Sequence, residues 1–262
     1  MSNLKGKYVV VTGASSGIGE ALALDAAKAG ARLILCARRL DALQQVKEAC
    51  LKFTDWCEFV QLDLANEASI EQASAHIIGL APQLDVLVNN AGISQRARAT
   101  EASFESEKHI MQVNFFGPVL FTKLLFPHMA PKAGIIITSS VVGLFGFPTR
   151  STYSASKHAL HGYFNTMAIE ERGRLQITIA CPGRINTPIS FSAVKGDGSV
   201  HGQMDEGQAK GIRADVCAKK IWKAYARGKS LVLVARGEKL LYWFSKYIPP
   251  LYRYISSKVS PL

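Results

Sequence analysis

The chain has 262 residues, 48% apolar and 19% charged, with 21 Gly and 10 Pro, a composition that suits a globular protein with a sizeable core and leaves room for one large domain or two small ones. Its formal net charge of +11 is unevenly placed: residues 208–262 hold 12 of the 31 Lys/Arg and 2 of the 20 Asp/Glu, while the first 207 residues are close to neutral. Basic charge confined to one end, with no dedicated nucleic-acid module in view, argues against a nucleic-acid partner.

The first residues run straight into an apolar β-like segment, "KYVVVT" (7–12). No signal-peptide core precedes it and no uninterrupted apolar span of membrane length follows, which predicts a cytoplasmic protein. A helical pattern then runs through Ala29 and stops at Gly30. Next come "RLILCA" (32–37), a helix-like 40–52, "CEFVQL" (57–62), a helix-like 67–79 and "DVLVNN" (85–90). An amphipathic region over 101–129 leads to "GIIITSS" (134–140), a helix over about 152–172 and "QITIAC" (176–181). Runs this apolar on both alternating faces suit strands buried on both sides, and their alternation with helices predicts a single-domain, doubly wound parallel α/β sheet of Rossmann type.

Periodicity weakens after Pro182. The segment 182–208 carries five glycines and reads either as a mobile substrate lid, spanning about 184–210, or as a disordered insertion. A helix (214–227), a strand "SLVLVA" (230–235) and a basic aromatic tail (238–262) complete a domain whose body is 1–237. Five cysteines, Cys36, Cys50, Cys57, Cys181 and Cys217, form no CxxC pair, so reduced thiols are expected and neither a disulfide frame nor a metal site.

Three stretches carry chemistry. "TGASSGIGEAL" (12–22) follows the first strand and opens the first helix, with Gly13, Gly17 and Gly19 placed to bring backbone N–H groups and a helix N-terminus against a pyrophosphate. Ser15, Ser16 and Ile18 lie in the same turn. After the second strand, where dinucleotide folds commonly set an acid for the ribose of NAD, the chain has Ala37, Arg38 and Arg39. Two guanidiniums without an acid suit a 2′-phosphate and favour NADP(H), the plainer alternative being a surface pair between Arg38 and Asp41. In "STYSASKHAL" (151–160), Tyr153 and Lys157 share one helix face, either as an ordinary solvated pair or as a tuned acid.

With these residues in view the chain resembles the short-chain dehydrogenase/reductase family over nearly its full length, with some likeness to its hydroxysteroid-dehydrogenase-like branch. The motifs stand in the family's order: "TGASSGIG" (12–19), Asp63, "NNAG" (89–92), Asn114, "SS" (139–140), "YSASK" (153–157) and "PG" (182–183). The resemblance implies a catalytic set of Asn114, Ser140, Tyr153 and Lys157, with Ser140 preferred to Ser139 by its spacing from the tyrosine. It also implies that Asp63 and the N–H of Leu64 meet the adenine. Asn89, Asn90, Ala91 and Gly92 would shape the cofactor floor, and Pro182, Gly183, Ile185 and Thr187 would lie at its carboxamide end, with Tyr153 and Lys157 at its ribose. In that setting Tyr153 would act as general acid or base, Ser140 would hold the substrate oxygen, and Asn114 would anchor a water leading to Lys157. Lowering a phenol from its usual pKa to about 7 takes roughly 4 kcal/mol, within reach of one or two cations in a desolvated cleft. His158 and His161 are expected on the helix surface or packed.

The substrate pocket is expected around Ile93 to Gln95, Val141 to Leu144, Phe147 and 184–195, mostly apolar, which suggests a lipophilic carbonyl or alcohol; Arg184 and Asn186 leave a polar or anionic substrate open. The tail sets Leu240, Leu241, Trp243, Phe244 and Tyr247 on one broad helical face before Pro249 and Pro250 interrupt it. It reads as packing on protein or as peripheral membrane contact. The leading expectation is an NADP(H)-dependent carbonyl/alcohol oxidoreductase, assembled as a homodimer or homotetramer as look-alikes are. The alternatives are an NADP(H)-binding sensor and a membrane-surface scaffold.

Overall fold

Val9, Val10 and Val11 are consecutive and all fully buried, although successive strand residues face opposite sides of a sheet. Both faces of their sheet must therefore be covered, and they are. The structure, a computed structural model, describes residues 4–258. Residues 1–3, and the last four of the tail 238–262, lie outside the described residues.

The chain opens with β1 (Tyr8–Thr12), α1 (Gly17–Lys28), β2 (Arg32–Ala37), α2 (Leu40–Leu51), β3 (Cys57–Gln61), α3 (Glu67–Leu80) and β4 (Leu84–Asn89). A two-residue β5 (Gln95–Arg96) leads to α4 (Phe104–Met111), α5 (Gly117–Leu125), β6 (Met129–Thr138), α6 (Ser151–Glu170) and β7 (Leu175–Pro182). Then come β8 (Ile185–Asn186), β9 (Val194–Lys195), α7 (Glu206–Ala209), β10 (Ile212–Arg213), α8 (Ala214–Ala226), β11 (Leu231–Val234), α9 (Glu238–Tyr247) and α10 (Pro249–Lys258).

Seven strands form one parallel sheet in the order β11-β7-β6-β4-β1-β2-β3. From β1 the chain winds outward through β2 and β3, then returns to build the other half from β4. The loops leaving β1 and β4 therefore part in opposite directions, and a crevice opens at the carboxyl ends of the strands. Leu22, Leu33, Leu35, Ile221 and Trp222 belong to the core on one face, where the Trp222 indole N–H donates to the Leu22 carbonyl at 3.1 Å. On the other face Ile34, Ile70, Phe121, Leu125, Leu160 and Phe164 fill the space under α3, α5 and α6.

Three segments differ in detail from what periodicity suggests. The region 101–129 is helical from Phe104 to His128, but Gln112–Phe116 is a π-helical turn, and Asn114 sits in it. By length and composition Phe104–His128 could cross a membrane; here Ile110, Phe121 and Leu125 are fully buried against the protein's own core. The segment after Pro182 holds short pairings, β8 with β10 and β5 with β9, that are too brief to leave a hydrophobic period. In the tail, α9 stops at Tyr247, with Ile248 in a non-helical conformation before Pro249 and Pro250, as the sequence suggests. What it does not suggest is that the two prolines open a further helix, α10, where a proline in the first turn gives up an N–H with no intrahelical partner.

The tail is two-faced. Leu241, Tyr242 and Tyr252 pack on Val141, Phe145 and Ala235, and the Tyr252 hydroxyl donates to the Gly146 carbonyl. Leu240, Trp243, Tyr247 and Tyr254, each more than half exposed, look outward. The single face drawn from sequence thus divides between Leu241, turned inward, and Leu240, Trp243 and Tyr247.

Candidate active site

A cavity of about 1160 Å³ occupies the crevice and joins the carboxyl ends of β1, β2, β4, β6 and β7. Its floor begins at the glycine turn. Gly13 and Gly17 have φ of +65° and +63°, the left-handed region that glycine alone enters freely. A Cβ on Gly19 would overlap the Gly13 carbonyl oxygen, and one on Gly13 would stand 2.9 Å from the Ala91 Cα. The turn is therefore bare where it meets the cavity, and Ser16 caps α1 without a side-chain hydrogen bond. First-turn N–H groups with no side-chain acceptor suit an anion such as a pyrophosphate. Ser15, Ser16, Gly17 and Ile18 line the cavity beside them.

Arg38 and Arg39 line the adjoining wall with Ala37, and both are exposed. Arg39 reaches back to the turn, its Nη2 3.3 Å from the Ser15 carbonyl and 3.4 Å from its hydroxyl. Two guanidiniums on one stretch of wall suit an anionic group. Asp63 and Leu64 form the next stretch of wall. Asp63 Oδ1 accepts the Ala65 N–H at 3.0 Å and so shapes its own turn.

Of the two asparagines that end β4, only Asn90 faces the cavity. Asn89 donates to the Thr122 hydroxyl at 2.8 Å, deep in the core, and differs in this from the place sequence reading gave it. Asn90 Nδ2 donates to the Thr12 carbonyl at 3.1 Å, and the Thr12 hydroxyl accepts the N–H groups of Asn90 and Ala91. This stitch ties β1 to β4 at their ends and places Ala91 and Gly92 on the cavity floor. Pro182, Gly183, Ile185 and Thr187 close the far side.

The four candidate catalytic residues converge, each held differently. Asn114 is fully buried; its Oδ1 accepts the Ile93 N–H at 2.8 Å, and its Nδ2 donates to the Ile93 carbonyl at 2.9 Å and to the Ser156 hydroxyl at 3.1 Å. That side chain locks the post-β4 segment against α6. Ser139 and Ser140 part company at the end of β6. The Ser139 hydroxyl donates to the Lys157 carbonyl at 3.2 Å and meets His161 Nε2 at 3.0 Å, whereas the Ser140 hydroxyl donates to the Pro182 carbonyl and accepts the Val142 N–H, each at 3.4 Å, and lies beside the Tyr153 phenol. Tyr153 is seated by its backbone, since the Gln95 side-chain oxygen accepts its N–H at 3.1 Å.

Burial pushes the Tyr153 phenol above its usual pKa; the neighbouring Ser140 hydroxyl, then the charges of Arg150 and Arg96, oppose that rise without cancelling it. A phenol held protonated at neutral pH is a proton donor in waiting. Burial pushes the Lys157 ammonium down to about 8. Its Nζ donates to the Thr138 carbonyl at 2.9 Å. The Cys181 thiol beside it is pushed up by burial to about 12, so it carries no charge at neutral pH and gives Lys157 no ion pair. Burial, then His158 and Lys157, push His161 down to about 4, which leaves a neutral packed imidazole.

Arg96, Arg150, His201 and Asp205 were not singled out from sequence, yet Arg96, Arg150 and Asp205 line the same cavity as Tyr153. Arg96 and Asp205 are bonded across 109 residues of chain. No sequence motif marks them; the position of Arg150 three residues before Tyr153 was the one available hint.

The family model for short chain dehydrogenases matches residues 7–197. The chain is 38% identical over 265 residues to the dehydrogenase/reductase SDR family protein 7-like of Anopheles gambiae, covering 98% of this chain and 84% of that protein. It is 37% identical over 238 residues to dehydrogenase/reductase SDR family member 7B of Mus musculus, covering 88% and 74%. Among solved structures, a short-chain dehydrogenase/reductase from Burkholderia phymatum in complex with NAD superimposes with a TM-score of 0.82 at 23% identity, over 100% of this chain and 99% of that one. An alcohol dehydrogenase from Thermococcus sibiricus complexed with 5-hydroxy-NADP gives 0.74 at 22% identity, over 88% and 96%.

Proposed function

Since the chain belongs to the short-chain dehydrogenase/reductase family, we propose that it is an NADP(H)-dependent oxidoreductase that interconverts a carbonyl and an alcohol, on a lipophilic substrate. The observation that carries this reading is the Tyr153 phenol, beside Ser140 and Lys157, in one cavity with the bare glycine turn and with Arg38 and Arg39. When bound, the nicotinamide cofactor supplies or takes up the hydride. Every other task falls to side chains of this protein.

In reduction, Ser140 holds the carbonyl oxygen and Tyr153 gives its phenolic proton to that oxygen as the carbon becomes tetrahedral. Lys157, whose proton affinity burial has lowered to about 8, is placed to resupply a proton near neutrality. In oxidation the same phenol takes the alcohol proton. Asn114 acts by position, holding the Ile93 segment and α6 at a fixed spacing. The glycine turn and the α1 N-terminus receive the pyrophosphate, Asp63 and Leu64 flank the adenine, and Arg38 and Arg39 receive the 2′-phosphate. Apolar walls at Val141, Phe145, Phe147 and Ile189 support the choice of a lipophilic substrate.

Titration with NADPH and NADH side by side, followed by a panel of lipophilic ketones and aldehydes, tests the reading. Tight NADPH binding, weak NADH binding and turnover of part of the panel are expected. Binding of neither nucleotide contradicts it.

A second reading concerns where the protein works. We propose a cytoplasmic enzyme that touches an anionic membrane surface through the outward face of α9 and α10, where Leu240, Trp243, Tyr247 and Tyr254 stand among Lys239, Lys246, Arg253 and Lys258. Flotation with vesicles containing phosphatidylserine, lost on Trp243→Glu with Tyr247→Glu, is the check. Phe104, Phe116 and Ile169, exposed on the α4–α6 side, support a homodimer or homotetramer, to be read by light scattering.

A further inference from the structure

Three basic side chains converge on one carboxylate beside the catalytic tyrosine. Arg96 Nε donates to Asp205 Oδ1 at 3.3 Å while its Nη2 bonds Oδ2. Arg150 Nη2 stands 3.7 Å from the same Oδ2, and His201 Nε2 3.4 Å from Oδ1. The side chains of Arg96, Arg150 and Asp205 are 6%, 10% and 9% exposed, so these charges are out of water. Taking two guanidiniums into a protein is costly unless anions meet them. Burial, and then the neighbouring Arg96 charge, lower Arg150 to about 9, with Asp205 pulling the other way.

The two arginines and the carboxylate have different origins. Arg96 lies on β5 and Arg150 is the residue preceding α6, both anchored to the catalytic framework: Arg96 Nη1 donates to the Ser94 hydroxyl at 2.8 Å and the Gln95 carbonyl at 2.7 Å, and Arg150 Nη1 to the Thr149 carbonyl at 3.2 Å. Asp205 and His201 come from the segment after Pro182, which returns over the cavity on two-residue pairings. The carboxylate is thus carried by a segment that lies outside the seven-stranded sheet and whose own strand pairings are two residues long. Burial raises the Asp205 pKa, but the Arg96 hydrogen bond and the charges of Arg96, Arg150 and His201 outweigh it, so Asp205 stays an anion. Glu238, the acid on the tail side of the cavity, is engaged with the backbone N–H groups of Arg184 and Arg236.

We propose that Arg96 and Arg150 form an anion seat in the substrate half of the cavity, that Asp205 is its internal occupant, and that the substrate carries a carboxylate or a phosphate that takes the place of Asp205. This rests on the oxidoreductase reading. Planar guanidiniums pair with either anion through two parallel bonds, so the seat sets the charge of the substrate and a fixed reach from it to Tyr153. The remainder of such a substrate lies on the apolar walls at Phe145, Phe147, Ile189 and Phe191. A molecule with an anionic end, a carbonyl or alcohol at Tyr153 and an apolar body meets all three surfaces.

The test uses ligands that no hydride transfer can alter: phenylacetate, phenyl phosphate and neutral 2-phenylacetamide, titrated calorimetrically into the full chain with and without NADPH. At least one anion is expected to bind about tenfold or more tightly than the amide, and the preferred anion separates carboxylate from phosphate. Arg96→Gln and Arg150→Gln should each weaken that anion about tenfold and leave NADPH affinity intact. Asp205→Asn acts in the opposite sense and should tighten the anion, which decides the matter even if an arginine variant does not fold. Equal binding of amide and anions, or an Asp205→Asn protein with unchanged or weaker anion affinity, overturns the seat. A protein that binds the anions yet turns over no carbonyl with NADPH keeps the seat and loses the oxidoreductase reading; one that reduces neutral ketones without anion preference loses the seat alone.

Discussion

The Lys157 ammonium stands 5.8 Å from the centre of the Tyr153 ring and donates to the Thr138 carbonyl. It is buried, at 3% exposure, and among the described residues no carboxylate pairs with it. The positive charges that pull the Tyr153 phenol downward in this structure come from Arg150 and Arg96. The Tyr–Lys pair that the sequence displays thus works inside a wider field of cations, supplied from β5 and from the residue before α6.

That field sets a pH dependence. Oxidation of an alcohol needs the Tyr153 phenolate and reduction needs the phenol, so oxidation should climb with rising pH while reduction holds through neutrality and then falls. Arg150→Gln removes a charge that lowers the phenol's pKa, so the rising limb of oxidation should move to higher pH. Initial rates from pH 6 to 10 read this directly; an unmoved limb contradicts the role given to Arg150.

Lys157 is a liability in the protein without cofactor. Its pKa falls from 10.5 to about 8 on folding. Below about pH 8 folded and unfolded chains both hold the proton and the whole penalty is present; between about 8 and 10.5 the folded chain has lost it and the unfolded chain has not, so stability rises with pH. The shift corresponds to about 3 kcal/mol. Lys157→Met should therefore raise the melting midpoint at pH 7, less whatever the unpaired Thr138 carbonyl costs, and the gain should shrink by pH 9.5. Thermal melts of both proteins at the two pH values provide the check.

Arg38→Asp should weaken NADPH at least tenfold while NADH loses little or gains, because an anion replaces the donor set for the 2′-phosphate. Equal losses for both nucleotides, measured by fluorescence, would mean that Arg38 is the surface partner of Asp41 after all.

Gly19→Ala introduces a methyl group onto the Gly13 carbonyl oxygen. The turn must shift to make room, so nucleotide affinity should fall sharply while far-ultraviolet circular dichroism remains that of the parent. Unchanged affinity would show that the turn is not the pyrophosphate cradle.

The doubly wound sheet was legible because β1, β2 and β4 are so uniformly apolar that only burial on both faces accounts for them. Gly13, Gly17 and Gly19 were legible because few other residues can occupy such a turn. The π turn at Asn114 left no mark, since its residues keep a helical composition and the change lies in the hydrogen-bond register. The Arg96–Asp205 pair left none either: 109 residues separate its members, and each looks like an ordinary surface charge in its own stretch. Pro249 and Pro250 were legible as the stop of α9 but not as the start of α10, because a proline that breaks the middle of a helix is equally at home at its beginning.

The central claim is that Tyr153 moves the proton in an NADP(H)-dependent reduction. The most direct test is single-turnover reduction of a lipophilic ketone by Tyr153→Phe loaded with NADPH, with nucleotide affinity measured on the same sample. The account predicts a rate lowered by about 10² to 10⁴ with affinity within about twofold of the parent; a rate equal to the parent's at matched NADPH occupancy contradicts it.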